Sequence, residues 1–495
     1  MTERGALVAA VARQRLHGGL EPLAAVEALR ADGGAWLLES ALPGHPLSRF
    51  SFAGADPYAV LRGWAQPAGP RVEITCTRDV RPDLPVGRSV HSVATLEALR
   101  ELLPPPPQGA AYALPFIGGA VGWLGYELAQ DLDRVSLRAA DDLGLPDAAL
   151  LFVDRLAAFD HEAGEAWALG LGFAEDVAGA RRRAEQAARN LAAHLDGAGA
   201  PRSPATGGRT RPVDARGAFD ESSYPKAVEA IREQIALGRV YQACLTQRLE
   251  AAFEGDALDL YRALRERNPA PFAAFLELPE AAVVGSSPER FLCVGSDGAV
   301  ESRPIKGTRP RGDTPEEDAA LRRALLASEK DRAENLMIVD LVRNDLGRVC
   351  RTGSVRVPEL FRLEAFATVH QMVSVVEGRL RADRDALDAV AAAFPPGSMT
   401  GAPKLAALEI LDALEPVRRG VYSGALGYLD ARGGLDLCVV IRTLLVRGGR
   451  AWLHAGGGVV ADSHPLAEYR ESLDKACALL EALAACPEPS PAQPV

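Results

Sequence analysis

Lysine is nearly missing from this chain of 495 residues: of 55 basic residues only five are lysine, at 226, 306, 330, 404 and 475. Cysteine is sparse as well. The seven, at 76, 244, 293, 350, 438, 477 and 486, form no CxxC and no short Cys/His spacing, which excludes a zinc module or a disulfide framework and reads as reduced thiols in a cytoplasmic protein. No apolar run reaches the roughly 18 residues of a membrane span. The opening MTERGALVAAVARQR carries an acid and too short an apolar stretch for a signal peptide. Positive charge is in deficit, with a formal net charge of −11, so neither nucleic acid nor an anionic membrane is the expected partner. What is present is ordinary globular composition, 48% hydrophobic and 24% charged, in a chain long enough for two or three domains or one large composite.

The lysine deficit bears on chemistry. A guanidinium stays charged, whereas an amine can shed its proton, attack carbon or form a covalent adduct. The retained Lys226, Lys306, Lys330, Lys404 and Lys475 therefore mark places where an amine is wanted, unless GC-rich codon usage alone left five survivors.

Composition shifts divide the chain into an N-terminal unit over 1–200, a linker over 201–217, a second unit over 218–486 and a disordered tail over 487–495. The first unit alternates short apolar runs with turn residues and predicts strands with few helices until 175–195. In the second, Tyr224 to Leu237 is an amphipathic helix stopped by Gly238. The SDG of VVGSSPERFLCVGSDGAVESRPIKGT makes a hairpin turn that places Glu289 and Lys306 near the ends of neighbouring strands. Thr314 to Glu317 spells a capping box, and helices follow at about 329–346, 385–394, 401–414 and 465–484. Strands and helices occur in mixed order, so the expected class is α+β: antiparallel sheets packed as a sandwich with helices outside.

Several motifs carry chemistry, each with a plainer alternative. GSMTGAPK at 397–404 lacks phosphate-loop spacing, although glycines opening a helix can offer N–H groups to a carboxylate. Asp331 with Glu334, and Glu468 with Glu471, are acidic pairs of spacing three, each on one face of a predicted helix. If those helices face each other, four carboxylates converge and suit Mg²⁺; taken singly, each pair is a solvated face. Arg442 sits in an apolar run expected to be a buried strand and needs a carboxylate from the protein or from a ligand. His370 lies in another apolar strand, where a core histidine bonded to a backbone carbonyl is the common case.

Taken together, PIKGT, DRAENLMIVDLVRNDLGR, GSMTGAPK, YSGALGY, IRT and GGGVVADSHPLAEY resemble the chorismate-utilising enzymes, over roughly 220–485, and within them the aminodeoxychorismate synthase large subunits. The resemblance implies that fold, with an anthranilate-synthase-component-I-like N-terminal subdomain and a chorismate-binding catalytic domain. It also implies Mg²⁺ held by Asp331, Glu334, Glu468 and Glu471, with the ion on the ring carboxylate of chorismate. Arg442 and Tyr422 match residues that hold the enolpyruvyl side chain, and Thr400, Gly456, Gly457 and Gly458 match other substrate contacts. His370 matches an active-site histidine, and Lys404 closes the substrate-facing GSMTGAPK.

Gln242 stands where water-using members carry lysine, which implies ammonia as the nucleophile. Lys306 stands where anthranilate synthases usually read PIAGT, and in the resembling enzymes that lysine attacks C2 of the ring as the C4 hydroxyl leaves. Departure of a hydroxyl asks for a protonated acid, a role that Glu289 fits if burial raises its pKa; an ion pair with Arg290 or Arg303 is the alternative. No GxCxG turn is present, so a separate glutamine amidotransferase subunit is the implied ammonia source. The product would be 4-amino-4-deoxychorismate, for para-aminobenzoate and folate or for a specialised metabolite. Ser40, Leu47, Ser48, Arg49, Phe50, Pro271, Phe272 and Ala273 resemble the family's tryptophan pocket. The competing expectations are an anthranilate synthase component I that aminates C2, or a catalytically silent chorismate- or tryptophan-binding homologue.

Overall fold

The computed structural model describes residues 7–66, 69–108, 113–133, 135–199, 213–367 and 369–486. Most of the expected linker and the whole expected tail lie outside these residues.

Two sheets of twelve strands each form the body. The first runs from Val8–Arg15 at one edge through Glu165–Ala174 and Trp36–Glu39 to Phe272–Glu277, Thr443–Arg447, Arg450–Val459 and Gln242–Ala252. The second runs from Ile305–Pro310 through Val369–Arg379, Arg290–Val294 and Leu435–Val439 to Ala425–Asp430, Gly119–Leu124 and Gly87–His91. Ladder pairing is antiparallel, as in the joints Trp36–Glu39 with Phe272–Glu277 and Gly119–Leu124 with Ala425–Asp430. These two joints make each sheet continuous between residues before 200 and residues after 218.

The sandwich explains why its central strands are not alternating in sequence. Gly119–Leu124, Ala148–Val153 and Ala425–Asp430 are buried along their whole length, because one face meets other core residues and neither face meets water. Aromatic rings join the layers: Phe116 stacks on Tyr428 at 4.6 Å and meets Phe52 edge-on at 5.5 Å. Burying such rings is worth about 1.5–3 kcal/mol each.

Helices cover the outside. Val177–Leu195 starts at Asp176, whose carboxylate accepts the Gly179 N–H at 2.7 Å. Its buried Ala180, Ala184 and Ala188 lie directly on Gly170 and Gly172 of the neighbouring strand, so helix and strand backbones touch. All seven cysteines are free thiols, and no described helix is long and apolar enough to cross a membrane.

Several local expectations hold. The 224–237 helix is Ser223–Ala236, Gly238 follows with φ +75°, and a turn at 295–298 joins Arg290–Val294 to Ala299–Ser302. The few helices expected before 175 are Pro22–Leu29 and Thr95–Leu102, with the single-turn Ala129–Leu132. Others are corrected. Thr314 does cap Glu317, but the Glu317 carboxylate reaches back to Asp313 rather than to the cap itself. The GSMTGAPK glycines do not open a helix: 397–399 is a short 3-10 turn, Gly401–Ala402 pairs with Gln242–Ala252, and the helix begins at Lys404. Arg442 is not within a strand; it occupies a bend before Thr443–Arg447, with φ +50°. The strands of Glu289 and Lys306 are not adjacent, because Val369–Arg379 and Ala299–Ser302 intervene.

A Cβ at Gly172 would collide with the Ala180 carbonyl and the Ala184 N–H, both backbone. Gly172→Ala should therefore cost about 1–3 kcal/mol in chemical unfolding, whereas Gly347→Ala, with nothing within 4 Å, should cost nothing. Equal stability of the two variants would contradict this packing.

Candidate active site

The strand ends and loops of both sheets meet around Lys306. Its Nζ donates to the Ser398 carbonyl at 3.0 Å. On the first sheet, Gly458 pairs with Cys244; a Cβ on Gly458 would strike the Gln242 amide and stand 3.6 Å from Lys306 Nζ. Gly458 is thus small because the Gln242 and Lys306 side chains cross its face. Gln242 is buried, with its amide oxygen unpartnered.

Glu289 is 4% exposed and lies within reach of the same amine. Its carboxyl faces the Ile305 N–H at 3.4 Å. Burial pushes its pKa up to about 7, against opposing pulls from Ser398, Lys306 and the Ile305 N–H. The alternative pairing with Arg290 or Arg303 does not form. Arg290 is held by Asp436 at 2.7 Å and Glu301 at 2.6 Å, and Arg303 by Glu301 at 2.8 Å.

The two acidic pairs lie on helices Glu329–Gly347 and Pro465–Ala485, near enough for the Glu468 charge to act on Glu334. Burial raises the Glu334 carboxyl, and the Asp331 and Glu468 charges raise it further against Lys306 and Lys330. Burial works against the Glu471 charge too, yet Lys475, with Lys330 and Lys306, brings that carboxyl below its ordinary range. A Cβ on Gly457 would lie 3.0 Å from Glu468 Oε2 and 3.8 Å from Glu471 Oε1. Oxygen donors of this kind fit a hard divalent cation. Each carboxylate also has a protein partner: Asp331 pairs with Arg309 at 2.8 Å, Glu334 with Lys330 at 3.9 Å, Glu468 with the Ser463 hydroxyl at 2.7 Å and Glu471 with Lys475 at 2.7 Å. Among the described residues no three acidic, His or Cys side chains gather closely enough to enclose an ion.

Other expected residues fall on both sides of the site. Thr400 is fully buried, its hydroxyl 3.4 Å from the Pro396 and Gly397 carbonyls. Tyr422 is buried and stacked on His454, with centroids 4.8 Å apart, and burial raises its phenol. The Gly456 carbonyl accepts from Lys475 at 3.0 Å. Lys404 has a different job from the one expected: its buried amine pairs with Asp345 at 2.8 Å and the Ala393 carbonyl at 2.6 Å, tying three helices together. His370 bonds the Asp318 carboxylate at 2.7 Å through Nε2, not a backbone carbonyl.

A cavity of about 360 Å³ is lined by Ser40, Leu47, Arg49, Phe50, Pro271, Phe272 and Ala273, which come from segments more than 200 residues apart. Ser48 does not line it; its buried hydroxyl has no partner.

Sequence reasoning missed Arg419 and Glu415. The buried Arg419 guanidinium pairs with Glu415 at 2.6 Å and donates to the Met399 and Cys244 carbonyls, each at 2.7 Å. Glu415 in turn accepts from the Thr246 N–H at 2.9 Å. The signal available was an i, i+4 Glu–Arg pair beside an apolar helix, which also describes many surface pairs.

Comparison with known proteins places the chain in a family. Residues 54–481 match the family described as chorismate binding enzyme, and the chain belongs to that family. An aminodeoxychorismate synthase from Streptomyces pristinaespiralis is 47% identical over 93% of this chain. The chain spans 63% of that relative's length, and 52% of a Streptomyces griseus aminodeoxychorismate synthase that is 48% identical. Aminodeoxychorismate synthase component 1 of Klebsiella aerogenes is 40% identical over 91% of this chain and 93% of its own. Among solved structures, anthranilate synthase component I from Streptococcus pneumoniae superposes with a TM-score of 0.72 at 31% identity, over 89% of this chain and 93% of that one.

Glu289 should remain protonated until about pH 7. In infrared difference spectra of wild type against Glu289→Gln, a buried carboxylic C=O band should vanish as pH rises through that value. Loss of the band near the ordinary carboxylate pKa would contradict the burial argument.

Proposed function

We propose that the chain aminates chorismate at C4 with ammonia, giving 4-amino-4-deoxychorismate by way of a covalent adduct on Lys306. The observation that carries this reading is the meeting of one amine, Lys306, with one buried carboxyl, Glu289, whose pKa is raised to about 7. An acid that keeps its proton near neutrality can give it to a departing hydroxyl, and an arginine could not serve as the nucleophile.

The steps balance. The Lys306 amine bonds to C2, the ring double bonds shift, and the C4–O bond breaks, with the Glu289 proton leaving in water. Ammonia then bonds to C4, the double bonds shift back and the C2–N bond breaks, which restores the amine, and a proton of the new C4 ammonium returns to Glu289. Gln242, beside Lys306 and Gly458, supports ammonia because it offers an amide where a lysine would activate water. Asp331, Glu334, Glu468 and Glu471 would hold Mg²⁺, which when bound would neutralise the ring carboxylate of the substrate. Arg442 and Tyr422 would hold the enolpyruvyl arm.

A separate glutamine amidotransferase subunit would supply the ammonia. Para-aminobenzoate for folate, or a specialised metabolite, would be the destination of the product. The 360 Å³ cavity, mostly apolar and edged by Glu39, Arg49 and Asp436, suits tryptophan. A second reading, amination at C2 as in anthranilate synthase, is favoured by one observation: component 1 of that enzyme from Mycolicibacterium smegmatis is 40% identical over 97% of this chain and 91% of its own. The third, a silent binding homologue, has the retained Lys306 and Glu289 against it.

Incubation with chorismate, Mg²⁺ and ammonium should yield the 4-amino product, and chelation of the metal should abolish it. Lys306→Ala should lose at least about a hundredfold in rate while still binding chorismate. A 2-amino product, or full activity in Lys306→Ala, would overturn the covalent C4 route.

A further inference from the structure

Arg442 is a buried cation without a counter-charge: among the described residues it forms no ion pair, and burial alone lowers its pKa. Its backbone is in the left-handed region, φ +50°, and is fixed there by the Ser286 N–H, which donates to the Arg442 carbonyl at 3.1 Å. Among the described residues its guanidinium has one partner, the side-chain oxygen of Asn268 at 3.3 Å.

Asn268 is itself 4% exposed, at the end of helix Ala257–Arg267. Three contacts settle its place: its N–H donates to Leu264 at 2.9 Å, its carbonyl accepts from the Ser286 hydroxyl, and its amide oxygen accepts from Arg442. The amide orientation follows from chemistry, because a guanidinium can only donate and must therefore face the oxygen. The amide NH₂ is left buried and unpartnered. A buried donor without an acceptor is costly, so its persistence beside a buried cation without a counter-charge points to an anionic ligand that satisfies both.

We infer that Asn268 is a positioning and binding residue: it aims Arg442 and donates its own amide N–H to the same carboxylate of the substrate. This rests on the reading that Arg442 holds the enolpyruvyl arm of chorismate. A neutral amide suits the place, since an acid there would pair with Arg442 and turn an anion away, while a lysine would leave the guanidinium without its orienting acceptor.

Calorimetric binding of chorismate with Mg²⁺ to full-length Lys306→Ala, in which turnover is blocked, tests the inference. Adding Asn268→Ala should weaken binding at least about tenfold, and adding Asn268→Asp, nearly isosteric, should weaken it about a hundredfold. In the otherwise wild-type protein, Asn268→Ala should raise the KM for chorismate while changing kcat less than about threefold. A dihydroxycyclohexadiene carboxylate that lacks the enolpyruvyl arm should bind all variants alike, which a general loss of packing would not produce. If chorismate binds the parent, and Asn268→Asp binds it equally well, the inference about Asn268 is overturned while the reading of the site stands. If the parent binds no chorismate, the reading of the site fails and this inference fails with it.

Discussion

The buried pair of Arg419 and Glu415 is the constraint on which the site depends. A guanidinium this deep is stable only if every donor finds an acceptor, and Arg419 finds Glu415, the Met399 and Cys244 carbonyls, the Ser423 hydroxyl at 3.2 Å and the face of Tyr126 at 4.4 Å. Cys244 belongs to the first sheet and Met399 to the 397–400 turn, while Tyr126 and Ser423 flank the strands Gly119–Leu124 and Ala425–Asp430 of the second. Satisfying one cation therefore fixes the turn that offers Ser398 to Lys306 and Thr400 to Cys244, together with the strand that begins at Gln242. The Glu127 carboxylate completes the arrangement by accepting the Arg419 and Gly420 backbone N–H groups, each at 2.9 Å. Removing either member of the pair would leave the other charged and dry, at a cost of about 3–5 kcal/mol.

Alternation at the start of one strand divides the chemistry. Glu289 turns toward Lys306, and its neighbour Arg290 turns toward the 360 Å³ cavity. From Arg290 a chain of ion pairs runs through Glu301 and Arg303 to Glu364, which pairs with His45 at 3.0 Å. The cavity wall and the Glu289 carboxyl thus share a backbone without sharing a charge. Glu289 can stay protonated because the nearby arginines are already committed to other acids.

Legibility in the sequence followed the range of the interactions. The helices at 329–347 and 465–485, the hairpin turn at 295–298 and the stop at Gly238 depend on neighbours within a few residues, and they could be read. The scarcity of lysine marked five positions, because amine chemistry depends on residue type, and the resemblance at PIKGT chose Lys306 among them. Lys404 shows where that logic ends: the same scarcity applied, but its partner Asp345 lies 59 positions away, and only the fold brings them together. Arg442 read as a strand residue because its neighbours are apolar, whereas the bend is imposed by Ser286, far off in sequence. His370 likewise took a partner from the helix Pro315–Ala327, which no local pattern connects to its strand.

The central claim is that Lys306 becomes bonded to the substrate ring. Protein mixed with chorismate and Mg²⁺ without any ammonia source, quenched in acid, digested and analysed by mass spectrometry, tests it most directly. The account predicts a peptide containing Lys306 that is heavier by chorismate less one water, and which disappears when ammonium is added before the quench. An unmodified Lys306 peptide, from protein that goes on to aminate chorismate at C4 once ammonium arrives, would contradict it.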